Sequence, residues 1–133
     1  MDLKKRRTLS SVRLESAEEC LQSARTLLSA EHYKGAANRC YYAIFHAMRA
    51  VLALDEIDMK HHGGIISEFR RRYIKSGILE RGLSDIITFA YDLRTDSDYN
   101  DFYVISRQDV FNLIEITEYF INTIQNYLNT VWT

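Results

Sequence analysis

Apolar residues recur at steps of three and four along most of the chain, and the recurrence divides it into helices. Leu14, Ala17, Leu21, Ala24 and Leu28 form the first stripe, one face of an amphipathic helix. Residues 31–34 make a short connection, and a second helix is predicted over 35–54. Residues 60–64 read as a loop. A short helix carrying Ile65, Ile66, Phe69 and Tyr73 follows, and Gly77 and Gly82 flank the next join. Leu83, Ile86, Ile87, Ala90 and Leu93 share the face of a fourth helix, and the polar, acidic stretch 95–105 reads as a loop. Ser106, three residues before Asp109, supplies an N-cap with a carboxylate in the first turn. It opens the longest helix, whose stripe runs through Val110, Leu113, Thr117, Phe120, Ile124, Tyr127 and Val131. Short connections between long amphipathic helices predict an all-α antiparallel helical bundle of about five helices.

Composition narrows this further. The 133 residues suit one domain, expected over 8–133 behind a basic, solvated arm at 1–7 that carries Lys4, Lys5, Arg6 and Arg7. Proline is absent and glycine numbers five, too little turn punctuation for a sandwich or barrel of short strands. The net charge is −1, and four of the cations lie in the arm, so the folded body is acidic. A strongly basic nucleic-acid coat is excluded; a local basic site is not. Cys20 and Cys40 are too few for a disulfide framework and lack zinc-site spacing. No apolar segment follows the basic start, and no run reaches the roughly 18 apolar residues of a membrane span. The chain reads as cytoplasmic, with no membrane association.

The second helix carries the candidate chemistry. At about 100° per residue, Ala36, Cys40, Ala43, Ile44, Ala47, Met48 and Val51 cover its apolar side, with Tyr41, Phe45 and Leu52 at the margin. The opposite stripe holds Asn38, Arg39, Tyr42, His46 and Arg49, and contains no carboxylate. Arg39 and His46 are seven residues apart, about 20° around the helix, with Tyr42 between them. A guanidinium could grip a phosphate there while the imidazole handles a nearby proton. Such a pair can cleave RNA without a metal: a base takes the ribose 2′-hydroxyl proton, the oxygen attacks its own phosphate, and arginine stabilises the developing charge. A solvated helix face bearing one histidine accounts for the same spacing, and both readings stand at this point.

The run Asn38-Arg39-Cys40-Tyr41-Tyr42-Ala43-Ile44-Phe45-His46-Ala47 resembles the R-x-Y-Y-A-x-F-H-A core of small prokaryotic HEPN-domain proteins. His62, Gly64, Ile66, Phe69 and Gly77 resemble the family's H-x-G-x-I…F…G stretch, and Arg94 through Asp98-Tyr99 its R-x-x-x-D-Y segment. The resemblance implies an all-α bundle, usually a homodimer, often paired with a nucleotidyltransferase antitoxin. It also implies metal-independent RNA cleavage through an R-x4–6-H motif, which Arg39 and His46 satisfy as the catalytic pair. Asn38, Tyr42, Arg49, His62, Arg94, Asp98 and Tyr99 are then supporting or phosphate-binding residues, and neither a cofactor nor a metal is expected. In many active members the motif lies late in the chain and the arginine is followed by a polar residue. Here the late Arg94 has no histidine after it, and Arg39 is followed by Cys40. A non-catalytic module that binds a nucleotide or a partner is therefore the alternative.

Other candidates are weaker. Asp96, Asp98 and Asn100 mimic half an EF-hand loop, but Asp101 stands where glycine is needed and Arg107 where glutamate is needed. His61 and His62 are adjacent and diverge on any regular element, and no phosphate-binding glycine loop is present. Arg70, Arg71 and Arg72 would spread around a short helix as a solvated face, with a supporting role in phosphate binding open. The last helix has an apolar sector wider than a surface helix needs, with Phe111 and Tyr119 outside it, which points to self-association.

Overall fold

The computed structural model describes residues 2–58 and 61–132. Five α-helices account for most of them: α1 (Leu3–Ser29), α2 (Tyr33–Leu52), α3 (His62–Phe69), α4 (Gly82–Tyr99) and α5 (Arg107–Trp132). A single 3₁₀ turn, Ala53–Asp55, ends α2, and a π-turn, Arg70–Ile74, extends α3. No strand occurs among the described residues.

Helix α2 is the axis, packed against all four other helices. Its composition permits this: Ala36, Ala37, Ala43, Ala47 and Ala50 are all fully buried, so neighbouring backbones approach closely. Helices α1 and α2 form an antiparallel hairpin. Ser10 Oγ donates to the Ala50 carbonyl at 2.8 Å, while at the other end a Cβ on Gly35 would stand 3.3 Å from Leu27 Cδ1. Helix α5 also runs antiparallel to α1, with Arg25 paired to Glu118 at 2.8 Å and Arg7 over the Trp132 ring at 5.8 Å. The predicted stripes are buried: Leu14, Ala17, Leu21 and Ala24 on α1, Leu83, Ile87, Ala90 and Leu93 on α4, and Val110 to Ile124 on α5. Val131 is exposed, since Leu128 takes the last core position of α5.

Three boundaries differ from the sequence expectation. The basic arm is, over its described residues, the first turns of α1. Asp2 caps the helix by accepting from Lys5 N at 2.8 Å, and Arg6 reaches the Leu54 carbonyl at 3.2 Å, which ties that turn to the bundle. Residues 95–99, expected in a loop, continue α4: Arg94 and Asp98 pair at 3.0 Å across one helical turn, and Ser97 is buried. The loop expected over 60–64 is already helical from His62, and Lys60 lies outside the described residues. The cap on α5 is as read, with Asp109 N donating to Ser106 Oγ at 3.0 Å.

Candidate functional site

The carboxylate-free stripe of α2 is half-buried rather than open to solvent, because α1 flanks it on one side and α3 with α4 on the other. Asn38 Oδ1 accepts from both Nε and Nη2 of Arg39, at 3.2 and 2.7 Å, and fixes the plane of the guanidinium. Arg39 then lies over the Tyr42 ring at 5.1 Å, with Nη1 3.9 Å from Cys20 Sγ on α1. The His46 ring stands 6.4 Å from that same Tyr42 ring, on the next turn. Tyr42 is thus the spacer between guanidinium and imidazole, as the helical spacing required.

Two other segments close on this spacer. His62, at the start of α3, stacks on Phe45 with ring centroids 4.1 Å apart and lies 5.5 Å from Tyr42. Its Nδ1 is 3.1 Å from the buried Tyr41 hydroxyl. Burial raises the Tyr41 phenol to about 12 and lowers His62 below its ordinary value, so both partners of this hydrogen bond are held neutral, and the imidazole tautomer sets which of them donates. From α4, Arg94 lies 5.1 Å over Tyr41 and 5.6 Å over Tyr42, held by Asp98. The structure therefore unites Asn38, Arg39, Tyr42, His46, His62, Arg94 and Asp98. Tyr99 is not drawn in: it is 76% exposed at the end of α4. Arg49 sits at the lower edge, 5.9 Å over Phe45 and 3.3 Å from Asp58.

The site is electropositive. His46 is lowered from the usual histidine value first by burial, then by Arg49, Arg39, Arg13 and His62, and no carboxylate opposes them. Its Nδ1 is buried without a hydrogen-bond partner. The imidazole is thus neutral near neutral pH and surrounded by guanidinium groups suited to an oxyanion. No group of three His, Cys, Asp or Glu side chains among the described residues stands ready to hold a metal ion. No described helix is long and apolar enough to cross a membrane.

Three contributors escaped the sequence reading. Arg13 of α1 is 5% exposed, donates to the Arg49 carbonyl at 3.0 Å and pairs with Asp58 at 3.3 Å. Asp58 thereby bridges Arg13 and Arg49, and Tyr91 of α4 meets Tyr41 edge-on at 6.0 Å. An arginine one position from the core stripe of α1 was the only local signal for any of them.

Comparison with known proteins identifies the family to which this helical bundle belongs. The HEPN domain matches residues 10–127. The chain is 31% identical over 128 residues to a protein named "Putative toxin" in Methanocaldococcus jannaschii, a span covering 96% of this chain and 86% of that one. A second protein so named in the same organism is 38% identical over 86 residues, 65% of this chain and 64% of its own. A Thermotoga maritima protein named "UPF0332 protein" is 29% identical over 112 residues, 84% of this chain and 85% of its own. A family match over residues 10–127, with a relative 31% identical over nearly the whole chain, places this chain in the HEPN-domain family.

Proposed function

We propose that the chain is a metal-independent endoribonuclease acting as a toxin, with Arg39 binding phosphate and His46 moving the proton. One observation carries this reading: Arg39 and His46 flank one ring, Tyr42, with the imidazole kept neutral by burial and three guanidinium groups. A neutral imidazole is the form that accepts a proton. His46 Nε2 takes it from the ribose 2′-hydroxyl, since Nδ1 is buried. The 2′-oxygen forms a bond to phosphorus, the bond to the 5′-oxygen breaks, and that oxygen leaves with the proton that His46 carries, which returns the imidazole to its neutral form. Arg39 stabilises the charge on the non-bridging oxygens. The products are a 2′,3′-cyclic phosphate and a 5′-hydroxyl end.

The naming of two relatives as toxins supports the biological half of the proposal, with a nucleotidyltransferase antitoxin as the partner that holds the chain in check. A homodimer fits the same reading. Phe111 and Tyr119 on the outer face of α5 are 45% and 50% exposed, and pairing two copies would cover them. Sedimentation equilibrium of the parent beside Phe111→Glu tests this, and a monomeric parent overturns it.

The test of the activity is incubation with mixed RNA in EDTA, beside His46→Ala. Cyclic-phosphate ends from the parent and none from the variant are expected. RNA left intact by both favours the second reading, a non-catalytic nucleotide- or partner-binding module. What speaks for that reading is that both central guanidinium groups are already engaged, Arg39 by Asn38 and Arg94 by Asp98.

A further inference from the structure

A cleft of about 660 Å³ lies between α3, with its π-turn, and α4, beside the Tyr42 cluster. Its volume falls within the roughly 300–1,000 Å³ of ordinary ligand sites. Arg70, Arg71, Lys75 and Arg94 line it, against one carboxylate, Asp92. The π-turn is what gathers these cations. Lys75 N donates to the Arg70 carbonyl at 2.8 Å, an i→i+5 bond. Five steps of a regular α-helix carry a residue well away from its starting face, whereas five steps of this wider turn bring it nearly back. Lys75 therefore joins Arg70 and Arg71 on the cleft side, while Arg72, which shares Glu68 Oε2 with Arg71, extends toward Asp55 at 4.0 Å and does not line the cleft.

The cations differ in how far they are compensated. Arg70 is held in place by neutral acceptors only, Ser84 Oγ and the Ser84 carbonyl at 3.0 Å and Thr88 Oγ1 at 2.7 Å. No described carboxylate pairs with Arg70 or Lys75, and Arg71 meets Glu68 at 2.7 Å. Positive charge thus remains in a concave site. The opposite wall presents Tyr91, an aromatic ring that is 43% exposed. Cations that track a backbone beside an exposed aromatic face are what an unpaired nucleotide strand requires. His62 and Arg94 belong to both the cleft and the Tyr42 cluster, so the two are continuous.

We infer that this cleft binds single-stranded RNA next to the scissile phosphate, with Arg70, Arg71 and Lys75 on phosphates and a base stacked on Tyr91. The inference rests on the proposed ribonuclease reading only for the identity of the strand. Its test therefore uses a short 2′-O-methyl oligonucleotide, which binds but cannot be cleaved. Fluorescence anisotropy across a salt series compares the parent, Arg71→Gln/Lys75→Gln and Tyr91→Leu, with circular dichroism confirming that each is folded.

The charge variant is expected to bind about tenfold more weakly, with a log–log salt slope shallower by about 1.4, at about 0.7 for each lost phosphate contact. Tyr91→Leu is expected to weaken binding about tenfold with its slope unchanged, because stacking carries no charge. Variants that bind as the parent does overturn the inference. So does a parent that ignores the single strand, or one that binds the matching duplex as tightly. Unmodified RNA that stays intact while the 2′-O-methyl strand binds as expected overturns the ribonuclease reading alone and supports the cleft.

Discussion

The imidazole of His62 stacks on the ring of Phe45 with centroids 4.1 Å apart and 30° between their planes, and this contact fastens α3 to α2. The Tyr41 hydroxyl adds a hydrogen bond to the same ring. The two contacts can be separated. His62→Phe keeps the stack and loses the bond, whereas His62→Ala loses both. Urea denaturation should show a loss of about 1 kcal/mol for the first, a typical net hydrogen bond. The second should lose about 1 kcal/mol more, the stacking increment. Equal midpoints for both variants and the parent would mean that the α3 start does not rest on these rings.

Ser106 joins the connection 100–105, which is anchored by buried Ile105, to the first turn of α5, and it is the link that the sequence announces by itself. Its hydroxyl accepts from Asp109 N at 3.0 Å, and Asp109 adds a carboxylate to the same turn. Ser106→Ala should cost about 1 kcal/mol, and Ser106→Asp should restore most of it. Hydrogen exchange at residues 107–110 locates the effect: faster exchange there, with the centre of α5 unchanged, is the expected pattern. Uniform change along α5 would point instead to altered core packing.

Such local signals explain why most helices could be read and part of the site could not. Arg39, Tyr42, His46 and Arg49 share a face because one helix imposes it, so spacing alone aligned them. His62 and Arg94 come from other helices, and only family resemblance pointed to them. Arg13, Asp58 and Tyr91 carried no comparable signal, since Arg13 meets Asp58 only once α1 packs against the end of α2. The misread ends have the same origin. Residues 95–99 look like a loop by polarity, and it is the Arg94–Asp98 pair with buried Ser97 that keeps them helical.

Asp58 offers a test in which stability and anion affinity move in opposite directions. It is the one carboxylate shared by Arg13 and Arg49, at 3.3 Å from each. Arg13 is nearly buried, but the Asp58 side chain is 67% exposed, which limits what the pair contributes. Asp58→Asn should therefore cost only about 1 kcal/mol. It also removes the negative charge nearest the lower edge of the site, so affinity for a phosphate-bearing oligonucleotide should rise and its salt dependence steepen. Affinity that falls along with stability would show Asp58 to be part of the binding surface rather than a brake on it.

His46 makes folding itself sensitive to pH. Burial and the neighbouring arginines hold it below the usual value of 6.5, and His62 is lowered as well. In the unfolded chain each histidine returns to that ordinary value, so on acidification the unfolded state takes up protons first. The stability these groups contribute is complete above the unfolded value and is lost as pH falls through the folded one. Thermal midpoints between about pH 7.5 and pH 5.5, above the carboxylate range, should therefore decline on acidification. His46→Gln should flatten that decline, and His46→Gln/His62→Gln should flatten it further. The same depression predicts that the acid limb of any RNA-cleavage profile has its midpoint below 6.5, where the imidazole that accepts the proton becomes charged. A limb above 6.5 would mean that a bound phosphate has reversed the field of the arginines, and a decline in stability untouched by His46→Gln would place the titrating group elsewhere.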